Sequence, residues 1–76
     1  MTDQMIRLTY PAALLKVPVI NQLIRHYDIT VNILRAQIDA DQGWIELQLA
    51  GNTVVIEEAL NWLKQQGVIV KQINES

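Results

Sequence analysis

Few residues in this chain have the types and spacing that chemistry requires. The single histidine, His26, falls near the end of a helical segment. No partner stands at a spacing that a general base or a metal site would use. It reads as an exposed residue that interacts favourably with the negative end of its helix. Asp39 and Asp41 flank a turn, and two carboxylates without a calcium-loop pattern read as turn formers. No catalytic residue and no metal ligand is assigned, and no cofactor is expected. Asn32 is the residue that fits its surroundings least. Simple alternation puts it on one strand face with Leu34, Ala36 and Ile38. An amide on a core-directed position costs energy unless it is hydrogen-bonded, for example to local backbone where the strand begins.

The composition narrows the classes further. The chain has 76 residues, enough for a single domain that buries only a modest fraction of its surface. Half of those residues are hydrophobic, more than so short a chain can bury, so some apolar surface is expected to face a partner. There is no cysteine, which excludes disulfides, thiolate metal sites and an iron–sulfur cluster held by this chain. The formal charge is −2, and nucleic acid is not an expected partner. No apolar run approaches the roughly 18 residues of a membrane span. Met1-Thr2-Asp3-Gln4 has no signal-peptide character, so no membrane insertion and a cytoplasmic location are expected.

The elements that must position these residues follow from periodicity. Met5 to Tyr10 alternates, with Ile6, Leu8 and Tyr10 on one face and Met5, Arg7 and Thr9 on the other, and Pro11 closes the strand. Pro18 to Tyr27 is read as an amphipathic helix with the stripe Ile20, Leu23, Ile24 and Tyr27 and a poorly capped start. Ile29 to Asp39 is the second strand, and it is expected to be the longest. A turn over Ala40 to Gly43 leads to a third strand, Trp44 to Ala50, with Ile45, Leu47 and Leu49 inward and Trp44, Glu46 and Gln48 outward. Gly51-Asn52-Thr53 supplies a turn and a helix cap. Ile56, Ala59, Leu60 and Leu63 form the stripe of a second helix, which Gly67 stops. Val68 to Ile73 is the fourth strand, and Asn74 to Ser76 a loose tail. Trp62 reads as core or rim packing.

Strand, helix, strand, strand, helix, strand with right-handed crossovers predicts an α+β, ferredoxin-like sandwich. A four-stranded antiparallel sheet then carries two helices on one face, with Trp44, Ile33 and Met5 on the other. The second strand lies at an edge, where unpaired backbone invites pairing. Leu34, Leu47 and Leu60 are expected in the core. Common uses of this sandwich find little support. Pro11 to Pro18 has neither Gly nor Arg for a phosphate loop, and the sheet lacks the aromatics and the charge of an RNA-binding face.

Asn32-Ile33-Leu34, continuing Arg35-Ala36-Gln37-Ile38-Asp39, resembles the signature of the NIL domain family. Ile6-Arg7-Leu8 resembles the family's opening strand. Pro18 and Tyr27 match a helix-starting proline and a following aromatic, and Ala59-Leu60-Asn61-Trp62-Leu63 resembles the second helix with its Trp-Leu pair. The resemblance covers roughly residues 4 to 73. It implies a ferredoxin-like fold and a regulatory, non-catalytic role. NIL domains are best known at the C-terminus of methionine importer ATPase subunits, where they bind methionine and pair with a twin. By that likeness Asn32 is a ligand contact near a dimer interface, with Ile33 and Leu34 as wall residues. The expectation is one NIL-type domain over residues 1–76, a homodimer that binds a small hydrophobic amino acid such as methionine. The alternative is an interaction module for an as yet unidentified protein partner, with no small-molecule ligand.

Overall fold

The computed structural model describes residues 2–73; the tail expected over Asn74–Ser76 lies outside them. The element order is β1 (Thr2–Pro11), a short 3-10 turn (Ala12–Leu14), α1 (Val19–His26), β2 (Thr30–Ile38), β3 (Gln42–Gly51), α2 (Thr53–Gln65) and β4 (Ile69–Gln72). The sheet order is β2-β3-β1-β4, and every neighbouring pair is antiparallel. This is the ferredoxin-like α+β arrangement expected, with β2 at an edge. β2 is not the longest strand, because β1 and β3 each run one residue further.

Alternation builds the core as the sequence suggests. Ile6, Leu8 and Tyr10 of β1 stand beside Ile45, Leu47 and Leu49 of β3, and all six are buried. Val19 and Leu23 of α1 and Ile56, Ala59 and Leu63 of α2 close over them. Leu60 is half-buried and packs against this cluster, as does Trp62. Ile24, expected in the stripe of α1, is exposed instead.

Local signals set the helix ends. Asn52 caps α2, its Oδ1 accepting the Val54 N–H at 2.9 Å. At the other end the Val68 N–H reaches the Leu63 carbonyl and the Gly67 N–H the Lys64 carbonyl, a Schellman closure. It requires the φ of +97° that Gly67 adopts without penalty. Pro18 precedes α1 as its cap residue and offers no side-chain bond, so that start is uncapped. Between β2 and β3, the Asp39 carboxylate accepts the N–H groups of Asp41 and Gln42, both at 2.9 Å, which holds the turn. Those two bonds also draw the Asp39 carboxyl below its usual pKa.

β2 departs from simple alternation. Ile33 stands opposite Leu47, but Arg35, not Leu34, stands opposite Glu46, so Leu34 is an extra residue in a β-bulge. An inserted residue reverses the facing of everything on one side of it. Asn32 therefore shares the helix-free face with Arg35 and Gln37, while Val31 and Ile33 share the helix-side face with Ala36 and Ile38. Three expectations are corrected, the core-directed facing of Asn32 among them. Leu34 is 44% exposed and is not a core residue. Ile33 does not lie on the helix-free face. It is 58% exposed, and within β2 only Val31 is even half-buried.

Candidate functional site on the open sheet face

The helix-free face is ordered by register into transverse rows. In the central row Arg35 of β2, Glu46 of β3, Arg7 of β1 and Lys71 of β4 follow one another across all four strands. On one side lie Asn32, Gln48 and Met5, and Ile73 donates its N–H to the Met5 carbonyl at 2.8 Å. On the other lie Gln37, Trp44, Thr9 and Ile69.

Glu46 is the hub of the central row. It is only 6% exposed, on a face with no helix above it, because its neighbours fold over it. Arg7 donates to Oε2 through Nε at 3.0 Å and through Nη2 at 2.6 Å. Arg35 donates to Oε1 through Nε. Both carboxylate oxygens are occupied, and the two guanidiniums hold the Glu46 carboxyl below its ordinary range, the bond from Arg35 contributing most. Trp44 completes the arrangement. The Arg7 Cζ lies 4.6 Å from its ring centroid and the Arg35 Cζ 5.8 Å, within the range of a cation–π contact. Trp44 does lie on the helix-free face, half-buried beneath two guanidiniums. A shallow cleft of about 380 Å³ opens here, lined by Arg7, Arg35, Glu46, Lys71, Gln72 and Ile73.

The Asn32-Ile33-Leu34 segment lies at the rim of this face. Asn32 is exposed, against the expectation of a buried amide, because the bulge removes it from the core side. Ile33 and Leu34 are exposed beside it, and further along the same edge Ile38 is 60% exposed. The three residues of the signature are thus contiguous and accessible, but they face different directions.

The central row was not among the expected site residues. Its signal was the charge placed mid-strand between apolar neighbours, in Ile6-Arg7-Leu8 and Ile45-Glu46-Leu47, where opposite charges across a strand pair stabilise each other. His26 is exposed at the end of α1, with its ring 5.6 Å from that of Trp62. Among the described residues no group of three or more potential metal ligands gathers, and no helix is long and apolar enough to cross a membrane.

Comparison with known proteins gives a consistent picture. The profile of the NIL domain matches residues 4–72. A methionine import ATP-binding protein, MetN, of Ralstonia nicotianae is 36% identical over 76 residues, 95% of this chain and 22% of the relative. This chain therefore spans little more than a fifth of that protein. An uncharacterized protein of Synechocystis is 34% identical over 77 residues, 99% of this chain and 79% of its own length. Among solved structures, the C-terminal domain of an ABC transporter ATP-binding protein from Enterococcus faecalis superposes with a TM-score of 0.83. It is 23% identical, with 96% of this chain and 86% of that one covered, which speaks for the fold alone.

Proposed function

The chain belongs to the NIL domain family, and we propose that it is a non-catalytic regulatory module that binds a small hydrophobic amino acid, methionine first, near the interface of a homodimer. Its setting is cytoplasmic, as for a module that acts on an importer ATPase. The observation that carries the reading is the placement of Asn32. It stands exposed on an edge strand, followed by the exposed apolar side chains of Ile33 and of the bulge residue Leu34. An amide can meet an ammonium through its carbonyl oxygen or a carboxylate through its N–H groups. Ile33 and Leu34 supply apolar walls once a second copy covers the edge. Relatives named for methionine import support methionine as the first ligand to try.

The test is calorimetric titration of methionine, leucine and glutamate into wild type and Asn32→Ala, with melting curves for both. Methionine should bind wild type and raise its melting temperature, since a ligand specific to the folded form stabilises it. Asn32→Ala should weaken binding at least tenfold and melt as wild type does, because an exposed amide leaves no buried partner orphaned. If wild type binds none of the three at millimolar concentration, the amino-acid reading fails. The second reading then takes its place: a protein-interaction module, favoured by the exposed apolar residues Ile33, Leu34 and Ile38 along one open strand edge.

A further inference from the structure

The open-face cleft is built around an imbalance of charge. Its central row holds three cations and one carboxylate, in a chain whose total charge is −2. Glu46 spends both oxygens on Arg7 and Arg35, while Lys71 has no ion pair among the described residues. A guanidinium carries five N–H donors. Arg7 directs Nε and Nη2 at Glu46 and Arg35 directs Nε, so each keeps donors free. Asp3, the other acid on this face among the described residues, lies four residues along β1 from Arg7, about 13 Å away at the rise of a strand.

Two of the three cations are also pre-positioned. Arg7 is gripped by Glu46 from one side and by the Trp44 ring from another, and Arg35 by the same two groups. Side chains already held in place lose less freedom when a ligand arrives, which favours binding. The cleft, about 380 Å³, falls at the small end of ligand pockets, which run from roughly 300 to 1,000 Å³. Its lining adds one apolar side chain, Ile73, beside Lys71 and Gln72.

We propose that this cleft is a binding site for a small aliphatic carboxylate, whose charged end meets Lys71 and the free donors of Arg7 and Arg35 while its apolar end lies along Ile73. A planar carboxylate suits guanidinium donors, and Ile73 gives an aliphatic chain a contact that inorganic phosphate has no group to use. This site is separate from the Asn32 site, and neither depends on the other.

The experiment is a nuclear magnetic resonance titration of the full chain with butyrate, with butyramide as the uncharged isostere and with inorganic phosphate. Wild type is compared with Lys71→Gln and with the control Arg25→Gln, a cation on the exposed side of α1. Butyrate should shift the Arg7 and Arg35 Nε–H signals and the Lys71 amide saturably in the millimolar range, and butyramide should not. Lys71→Gln should weaken butyrate at least fivefold, with Arg25→Gln within twofold of wild type and all melting curves alike. Equal responses to butyrate and butyramide would overturn the proposal, as would an unchanged affinity in Lys71→Gln. Tighter binding of phosphate than of butyrate would overturn the carboxylate assignment. No saturable response to butyrate would remove the site and leave the Asn32 reading untouched.

Discussion

Arg7 and Glu46 face each other across the two central strands, and the guanidinium holds one carboxylate oxygen through two N–H donors. With Arg35 on the other oxygen, folding keeps the Glu46 carboxyl ionised below its ordinary 4.5. A carboxyl whose pKa falls on folding stabilises the native state above its unfolded value and loses that contribution as the pH falls through the folded value. Wild type should therefore melt higher than Glu46→Gln at neutral pH, and the difference should shrink below about pH 4.5. Melting curves from pH 7 to pH 3 would check this. A gap between the two proteins that is constant across that range would show that the charge on Glu46 contributes nothing.

Leu47 and Leu34 test the two sides of the bulge. Leu47 is completely buried between the sheet and the helices. Leu47→Ala should cost roughly 2–5 kcal/mol, enough to unfold much of a domain this small. Leu34 has no partner in the ladder and is 44% exposed, so Leu34→Ala should cost roughly 1 kcal/mol or less. Denaturant unfolding of both variants decides the matter. Equal losses would mean that β2 packs inward without the bulge.

The same contrast shows how much was legible in the sequence. β1 and β3 alternate cleanly because one face is buried against helices, so the residues buried there, Ile6, Leu8 and Tyr10 with Ile45, Leu47 and Leu49, are hydrophobic. α2 announces its start at Asn52 and its stop at Gly67 through residues whose side chain or lack of one fits the backbone there. β2 gave no such warning. Its residues are nearly all exposed, so neither face is under pressure to be apolar, and alternation cannot reveal one extra residue. That residue reversed the facing of Asn32 and Ile33. The Arg35, Glu46, Arg7, Lys71 row was legible only in the mid-strand charges of Arg7 and Glu46, for another reason. It exists only once four strands far apart in sequence are set in register.

Tyr10 presents a different problem of polarity. Its side chain is buried in the core, and its hydroxyl makes no hydrogen bond among the described residues. Burial pushes the phenol up from its ordinary 10.0 to about 12. The neutral form is the one that the fold accepts. Its contribution is complete below pH 10 and is lost as the pH rises toward 12. Wild type should lose stability steeply over that interval, and Tyr10→Phe should lose less. At neutral pH the same substitution should leave stability unchanged or raise it by about 1 kcal/mol, since an unbonded buried hydroxyl costs energy. A loss of several kcal/mol on Tyr10→Phe would reveal a partner for the hydroxyl and sink the argument.

The remaining prediction concerns how two copies meet. The outer side of β2 presents backbone donors and acceptors with no strand beside them, and Ile33, Leu34 and Ile38 stand exposed along it. The open face is the less favourable surface for self-association, because stacking two copies there would oppose two rows that each carry an excess of cations. Pairing along β2 avoids that repulsion and covers the apolar edge. Sedimentation at micromolar concentration should therefore give about twice the chain mass of 8.7 kDa. Ile33→Lys and Ile38→Lys each set a charge in the apolar stretch that pairing along this edge would cover, which blocks edge-to-edge association. Both should sediment as monomers and keep the circular dichroism of the wild-type fold. Wild type that remains monomeric at high concentration would count against the dimer itself. A dimer that tolerates both lysines would keep the association but move it away from β2, and the walls proposed for the Asn32 site would go with it.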